Sequence, residues 1–354
     1  MSRHHYGARI RDFTEGGRRV LALENELLRV ELLPEKGSDI VSFVHKPSDT
    51  DFLWRSAVGL RPPIPGGRPP GSDMAAYTDE YEGGWQECLP NGGPGVTYRG
   101  APIPFHGELW SAAWSVDITE DSPGRVSVVL RTETSRTPFS VEKRLTLVSG
   151  RAALTIDESV TNLSSTPIEF MWGHHPAFGP PFLDESCRID LPAALGSTAR
   201  SAPLPTSTLA FDAEFTWPHA PLSAGGSLDL SSVPGPGASR SEWVCLRELR
   251  EGWYGITSAR RGVGFGLRWD TRVFPYVWYW QVWGGEPDYP WWGRHYNCAL
   301  EPWTSWPDAG LDAAIANGSA RILAGGARLD SHMVAVAYAG RERISGISED
   351  GTVT

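Results

Sequence analysis

Three short stretches of this 354-residue chain set ionisable side chains among turn residues and aromatics. In Pro104-Phe105-His106-Gly107-Glu108-Leu109-Trp110 a lone imidazole precedes glycine. Such a histidine is more often a loop residue satisfied by backbone, but imidazole also exchanges protons near neutral pH. Trp172-Gly173-His174-His175-Pro176-Ala177-Phe178 carries two adjacent histidines, which suggests a metal at first sight. On a strand, neighbouring side chains point to opposite faces, so the two imidazoles do not easily share one ion. In Cys298-Ala299-Leu300-Glu301-Pro302-Trp303 a carboxylate sits inside an apolar run. Burying it costs several kcal/mol unless it is partnered. It is then either a structural group capping a turn or a general base whose proton affinity its pocket sets.

The elements that must position these groups are strands. Apolar residues recur with period two in Arg29-Val30-Glu31-Leu32 and from Val126 to Thr132. The run Arg144 to Leu147, a turn at Ser149-Gly150-Arg151 and the alternating Leu154 to Val160 read as a hairpin. Further strands are expected at Pro167 to Trp172, Gly262 to Trp269, Tyr276 to Trp283, Asn297 to Trp303, Ala320 to Ala324 and Arg328 to Tyr338. Only Leu311 to Ala316 reads as helix. The chain is therefore expected to be all-β. Gly and Pro number 39 and 29, matching a chain of many turns. Their clusters at Arg61 to Gly71, Pro176 to Pro181, Pro203 to Pro205 and Pro234 to Gly237 read as loops on one large sandwich. A single domain over residues 1–340 and a polar, frayed tail over 341–354 are the expectation.

Composition narrows the partners. With 32 basic and 42 acidic residues the net charge is −10, which leaves no global basic footprint for nucleic acid or an anionic membrane. The N-terminus has no apolar segment of the secretory type, and no apolar run of about 18 residues offers a membrane span. Cys88, Cys187, Cys245 and Cys298 are scattered without a Cys-x-x-Cys pair, so reduced thiols in a cytoplasmic protein are expected. Gly262-Val263-Gly264-Phe265-Gly266 lacks the dinucleotide-loop spacing and sits in an alternating context. Sixteen tryptophans are many for this length, and their flat faces suit stacking on a sugar ring. Ten of them lie between Trp243 and Trp306. Trp278 and Trp280 share a strand face while Trp283 lies on the other, so part of the set is core and part is expected to wall a groove.

The ordered set His106-Gly107, His175-Pro176-Ala177-Phe178, Leu300-Glu301-Pro302 and Pro307-Asp308-Ala309 resembles the aldose 1-epimerase (galactose mutarotase-like) family. Asp51-Phe52-Leu53-Trp54, Gly83-Gly84-Trp85 to Pro90-Asn91, and Ile322-Leu323-Ala324-Gly325-Gly326 extend the likeness across Val20 to Tyr338. The resemblance implies a large antiparallel β-sandwich with a sugar in a groove on one concave sheet, and no cofactor or metal. It implies a mutarotase that interconverts α and β anomers by acid–base ring opening and closure. In that reading Glu301 is the base, His175 the acid and His106 the second histidine near the ring oxygen, with His174 the structural alternative to His175.

Two departures bear on specificity. The family's arginine after the Pro-Asn turn is replaced by Gly92-Gly93, so Asn91 of that turn and Arg294, the nearest substitute, are the candidate sugar contacts there. Asp270 is the candidate for holding sugar hydroxyls, or else a turn residue paired with Arg272. Trp278, Trp280 and Trp303 are the stacking candidates. For a charged sugar, Arg260, Arg261, Arg268, Arg272 and Arg294 are the places to look for an anion clamp. Two other readings stand beside the enzyme: a sugar sensor that kept the groove without turnover, and a glycoside hydrolase. The latter needs two carboxylates flanking the scissile bond, whereas Glu301 has an imidazole partner.

Overall fold

A computed structural model describes residues 4–62, 73–192, 195–199 and 204–354. The Pro/Gly cluster at Arg61 to Gly71 lies largely outside these residues, and that at Pro203 to Pro205 partly so. Two extensive antiparallel sheets carry the fold. The larger, of twelve strands, passes through Asp39–His45, Trp85–Cys88, Gly173–Phe178, Tyr296–Trp303, Tyr276–Trp283 and Arg240–Arg247 at its centre. The smaller, of eight strands, runs from Cys187–Asp190 through Trp253–Ser258, Val263–Trp269, Arg328–Ala339 and Ala153–Asn162 to Phe139–Val148, Arg125–Glu133 and Ser115–Ser122. The expected hairpin forms, with Leu145 opposite Ile156 and Leu147 opposite Leu154.

The two sheets meet through their period-two apolar faces. Phe265 of the smaller sheet touches Phe43, Trp85 and Phe178 of the larger, with ring centroids 5.3, 6.4 and 4.9 Å away. The larger sheet also buries its opposite face. There Trp54, Tyr77, Tyr81, Trp110, Ala177, Trp291 and Ala299 form a separate aromatic-rich cluster. Central strands covered on both sides explain why Gly173–Phe178 is buried at every position.

The helix Leu311–Ala316 forms where expected, and a second helix, Asp73–Thr78, supplies Tyr77 to the outer cluster. The tail is not frayed. Ile344 and Ile347 are buried against Trp253, Val334, Val336 and Tyr338, and the Ile344 N–H donates to Asp190 at 3.0 Å. Three apolar residues among fourteen, the two isoleucines and the half-buried Val353, are enough to seat it, because Trp253 and Tyr338 leave a matching surface. Among the described residues no helix is long and apolar enough to cross a membrane.

Candidate active site

The chemistry-bearing residues meet on the outer face of the larger sheet. Gly173 faces Trp303 and Ala177 faces Ala299 across an antiparallel pair, so His175 falls opposite Glu301. Gln86 continues this rung on one side of His175, and Trp278 continues it beside Glu301 on the other. One rung thus aligns Gln86, His175, Glu301 and Trp278 on a single face, drawn from four strands in three separate parts of the sequence. His174, one residue earlier, points to the space between the sheets.

His175 Nε2 lies 3.4 Å from Glu301 Oε1, and the other carboxylate oxygen accepts a hydrogen bond from the Trp303 indole at 2.9 Å. Both side chains are almost wholly enclosed. Burial pushes the Glu301 carboxyl well above its usual range, against the Trp303 hydrogen bond and with the charge of Asp308 adding to the rise. Burial also lowers His175, to about 4. Although the contact has ion-pair distance, low dielectric therefore favours the neutral acid and neutral imidazole, which together hold one proton. His175 Nδ1 is 3.3 Å from the Tyr81 hydroxyl, which holds the ring so that Nε2 faces Glu301.

His106 enters from a tight turn in which it takes a left-handed backbone, φ 56°, followed by Gly107 at φ 79°. A Cβ at Gly107 would stand 2.2 Å from the Leu89 carbonyl oxygen, so only glycine fits there. The non-glycine residue in this disfavoured region is the one whose side chain lines the pocket. The Gly93 N–H donates to His106 Nδ1 at 3.1 Å. The neutral ring therefore carries its proton on Nε2. Burial and the neighbouring His175 hold its pKa well below the ordinary value, so that N–H remains a neutral donor.

These three groups line a cavity of about 330 Å³ walled by Tyr77, Tyr81, Phe105, Trp243, Trp278, Trp280 and Trp291, with Glu286 and Asp308 also on its lining. Trp303 lies behind the wall, stacked on Trp278 at 3.9 Å between ring centroids. Tyr77 is fixed by a buried relay. Its hydroxyl donates to Gln86 at 2.6 Å, Gln86 donates to Asp39 at 3.0 Å, and Asp39 accepts from Lys36 at 2.8 Å.

Three expected sugar contacts lie elsewhere. Asp270 is paired with Arg272 on a surface depression that also includes Arg268 and His332, because a single turn residue, Thr271, separates the charges just beyond the strand end at Trp269. Arg294 is exposed and off the cavity lining, on the loop beyond Trp291. Asn91 is buried but spent on structure: its amide donates to the Pro94 carbonyl at 2.8 Å and its oxygen accepts from Leu311 N–H at 2.7 Å. The missing arginine also has a physical reason. A Cβ at Gly92 would meet the Trp303 ring at 2.6 Å, so the stacked tryptophans occupy the space a side chain there would need. Nor do the other candidate clamps reach the cavity. Arg260 pairs with Asp184 and Glu185, Arg261 donates to the Pro181 carbonyl, and Arg268 to the Ile347 carbonyl.

Sequence reasoning passed over Tyr77, Tyr81 and Glu286, and left Trp243 and Trp291 within the set of ten tryptophans without dividing wall from core. The four-residue spacing of Tyr77 and Tyr81 was the one legible signal, a pair stacked at 5.2 Å between ring centroids by the turn that follows the helix.

On the inner face, Glu87, Glu158 and His174 bring three donor atoms within 4.8 Å of one another, a set able to hold a metal ion. The Lys143 ammonium already lies 2.7 Å from Glu87 and 3.6 Å from Glu158, which supplies positive charge where an ion would sit. His174 Nε2 is 3.0 Å from Glu158.

The fold is that of the galactose mutarotase-like β-sandwiches. A candidate aldose 1-epimerase from Klebsiella pneumoniae superposes with a TM-score of 0.67 at 15% identity, over 95% of this chain and 89% of that one. Slr1438 protein from Synechocystis gives 0.64 at 15%, over 92% and 99%. A galactose mutarotase-like protein from Clostridium acetobutylicum gives 0.62 at 14%, over 94% and 99%. In sequence, the chain matches the domain of unknown function DUF4432 over residues 15–335 and belongs to that family. No curated protein matches it.

Proposed function

We infer that this protein is a mutarotase of the aldose 1-epimerase type, a cofactor-independent isomerase acting on a sugar in a reducing, cytoplasmic setting. The observation that carries the reading is the desolvated Glu301–His175 pair, 3.4 Å apart, facing an aromatic cavity beside the His106 imidazole. Within the pair the shared proton first passes from Glu301 to His175; the carboxylate then takes the proton of the anomeric hydroxyl while the imidazolium delivers its own to the ring oxygen, and the C1–O5 bond opens. The carbonyl carbon turns about C1–C2, and closure on the other face reverses the two roles. One shared proton serves both directions, because ring opening leaves the pair as it began, a neutral acid beside a neutral imidazole. The His106 Nε2–H donates to the ring oxygen as negative charge develops there. Trp278 and Trp280 offer flat faces to the sugar, with Trp303 backing Trp278 and orienting Glu301.

A sensor needs no carboxyl held this far from its ordinary proton affinity, and that cost favours turnover over binding alone. Freshly dissolved pure anomers of several aldoses, followed by polarimetry or NMR, test the reading. Equilibration should accelerate, and Glu301→Gln and His175→Asn should each lower the rate by ~10²–10⁴-fold. Between pH 4.5 and its raised folded value, folded Glu301 keeps a proton that the unfolded chain releases. Its stability contribution therefore falls as pH rises, and Glu301→Gln should be about 1–3 kcal/mol more stable at pH 7. Sugar binding without acceleration for any aldose would move the assignment to a sensor, and release of sugar from a glycoside to a hydrolase.

A further inference from the structure

We propose that the mouth of the cavity holds a second sugar position built on Trp292 and Tyr289, so that the natural ligand is the reducing end of a short oligosaccharide. This rests on the mutarotase reading of the inner site. Trp291 and Trp292 are neighbours with opposite fates: Trp291 is 6% exposed and lines the cavity, whereas Trp292 is 57% exposed. Tyr289, 47% exposed, stands beside it with ring centroids 6.4 Å apart and planes at 73°. The two rings make a right-angled notch, one face to stack on a sugar and one to close its edge.

The notch is tied to the cavity rim by hydrogen bonds. The Tyr289 hydroxyl donates to Asp79 at 3.0 Å and lies 3.0 Å from the Thr78 hydroxyl, and Thr78 is on the cavity lining. The carrying loop is bonded to itself. Gly293 N–H donates to the Glu286 carbonyl at 2.6 Å, Trp291 and Trp292 N–H both donate to the Asp288 carbonyl, and Gly284 N–H donates to the His295 carbonyl at 2.8 Å. Trp292 takes a left-handed backbone, φ 54°, that glycine would adopt without strain. A large aromatic ring is displayed to solvent at a position where its backbone is disfavoured, which points to use of the ring.

Stereochemistry links the notch to the floor. Glu301 and His175 are 2% and 5% exposed, so the C1–O5 edge of the reacting ring must face inward. The O4 edge lies across the ring from C1 and faces the mouth. A second residue linked at O4 is carried outward, toward the rim.

The experiment titrates wild type and Trp292→Gly with 1,4-linked disaccharides of glucose and galactose and with the corresponding monosaccharides, by calorimetry or NMR. The glycine variant removes the ring while easing the backbone, so its Tm should not fall. A disaccharide should bind wild type about tenfold more tightly than its monosaccharide, and that advantage should vanish in Trp292→Gly. Equal affinities in wild type, an advantage that survives the substitution, or a dimer that the substitution disperses would each overturn the proposal. The binding preference is read without turnover, so failure of anomer equilibration is scored separately.

Discussion

His174 and His175 are adjacent, both buried, and each beside a buried glutamate, yet their surroundings drive them apart. On the inner face, burial raises the proton affinity of Glu158, but His174 and then Lys143 outweigh it and hold the carboxyl below its usual range. On the outer face Glu301 has an imidazole and an indole but no comparable ammonium beside it among the described residues, and its carboxyl stays well above. The difference lies in what stands beside each carboxyl, His174 and then Lys143 around Glu158 against a neutral imidazole at Glu301, and the lesson is that burial alone does not make a reactive carboxyl. A buried charge given its counter-charge becomes scaffold, whereas one left with a neutral partner stays poised to exchange a proton.

The sharpest way to break this contrast is to remove the ammonium. Lys143→Met leaves Glu87 and Glu158 facing each other with His174 alone, and should cost about 3–5 kcal/mol in urea unfolding. Wild-type stability in that variant would mean the inner cluster is not held by charge balance.

A smaller effect, in pH, sharpens the outer half. His175 is depressed to about 4, so kcat/KM should hold down to about pH 5 and then fall, approaching tenfold per unit below pH 4 as the pair takes a second proton. The unfolded chain takes up that proton first, near the ordinary histidine value of 6.5. This contribution to stability is therefore present above that value and is lost as pH falls through 6.5 toward 4. His175→Asn should lack that component when the two proteins are compared by denaturation.

The smallest effect belongs to Tyr81. Tyr81→Phe keeps the packing and removes the hydroxyl at Nδ1, so kcat should fall about 3–10-fold with KM little changed. The acidic limb should also move to lower pH, because the imidazolium loses an acceptor. A change in KM alone would make Tyr81 a wall residue.

Much of this arrangement can be read from the chain, for identifiable reasons. The strand Tyr276–Trp283 is visible because its aromatics alternate, and Glu301 because a carboxylate interrupts an apolar run. The opposite fates of the two histidines follow from strand geometry alone. What cannot be read locally is pairing. The rung from Gln86 through His175 and Glu301 to Trp278 joins strands from distant parts of the chain, and no local pattern sets their order. Asp270 misled because an acid before arginine looks the same whether it faces a ligand or its neighbour. The tail misled because composition averages hide Ile344 and Ile347.

Two successive histidines also create an ambiguity for the folding chain. A one-residue slip of Gly173–Phe178 against Tyr296–Trp303 would exchange the faces of His174 and His175 and still leave an imidazole on each side. Gly173 breaks the tie: a Cβ there would stand 2.1 Å from the Trp303 ring, so the misregistered pairing cannot close. A residue with no side chain thereby acts as the alignment key of the strand pair that brings His175 to Glu301, and its replacement should populate a misfolded isomer.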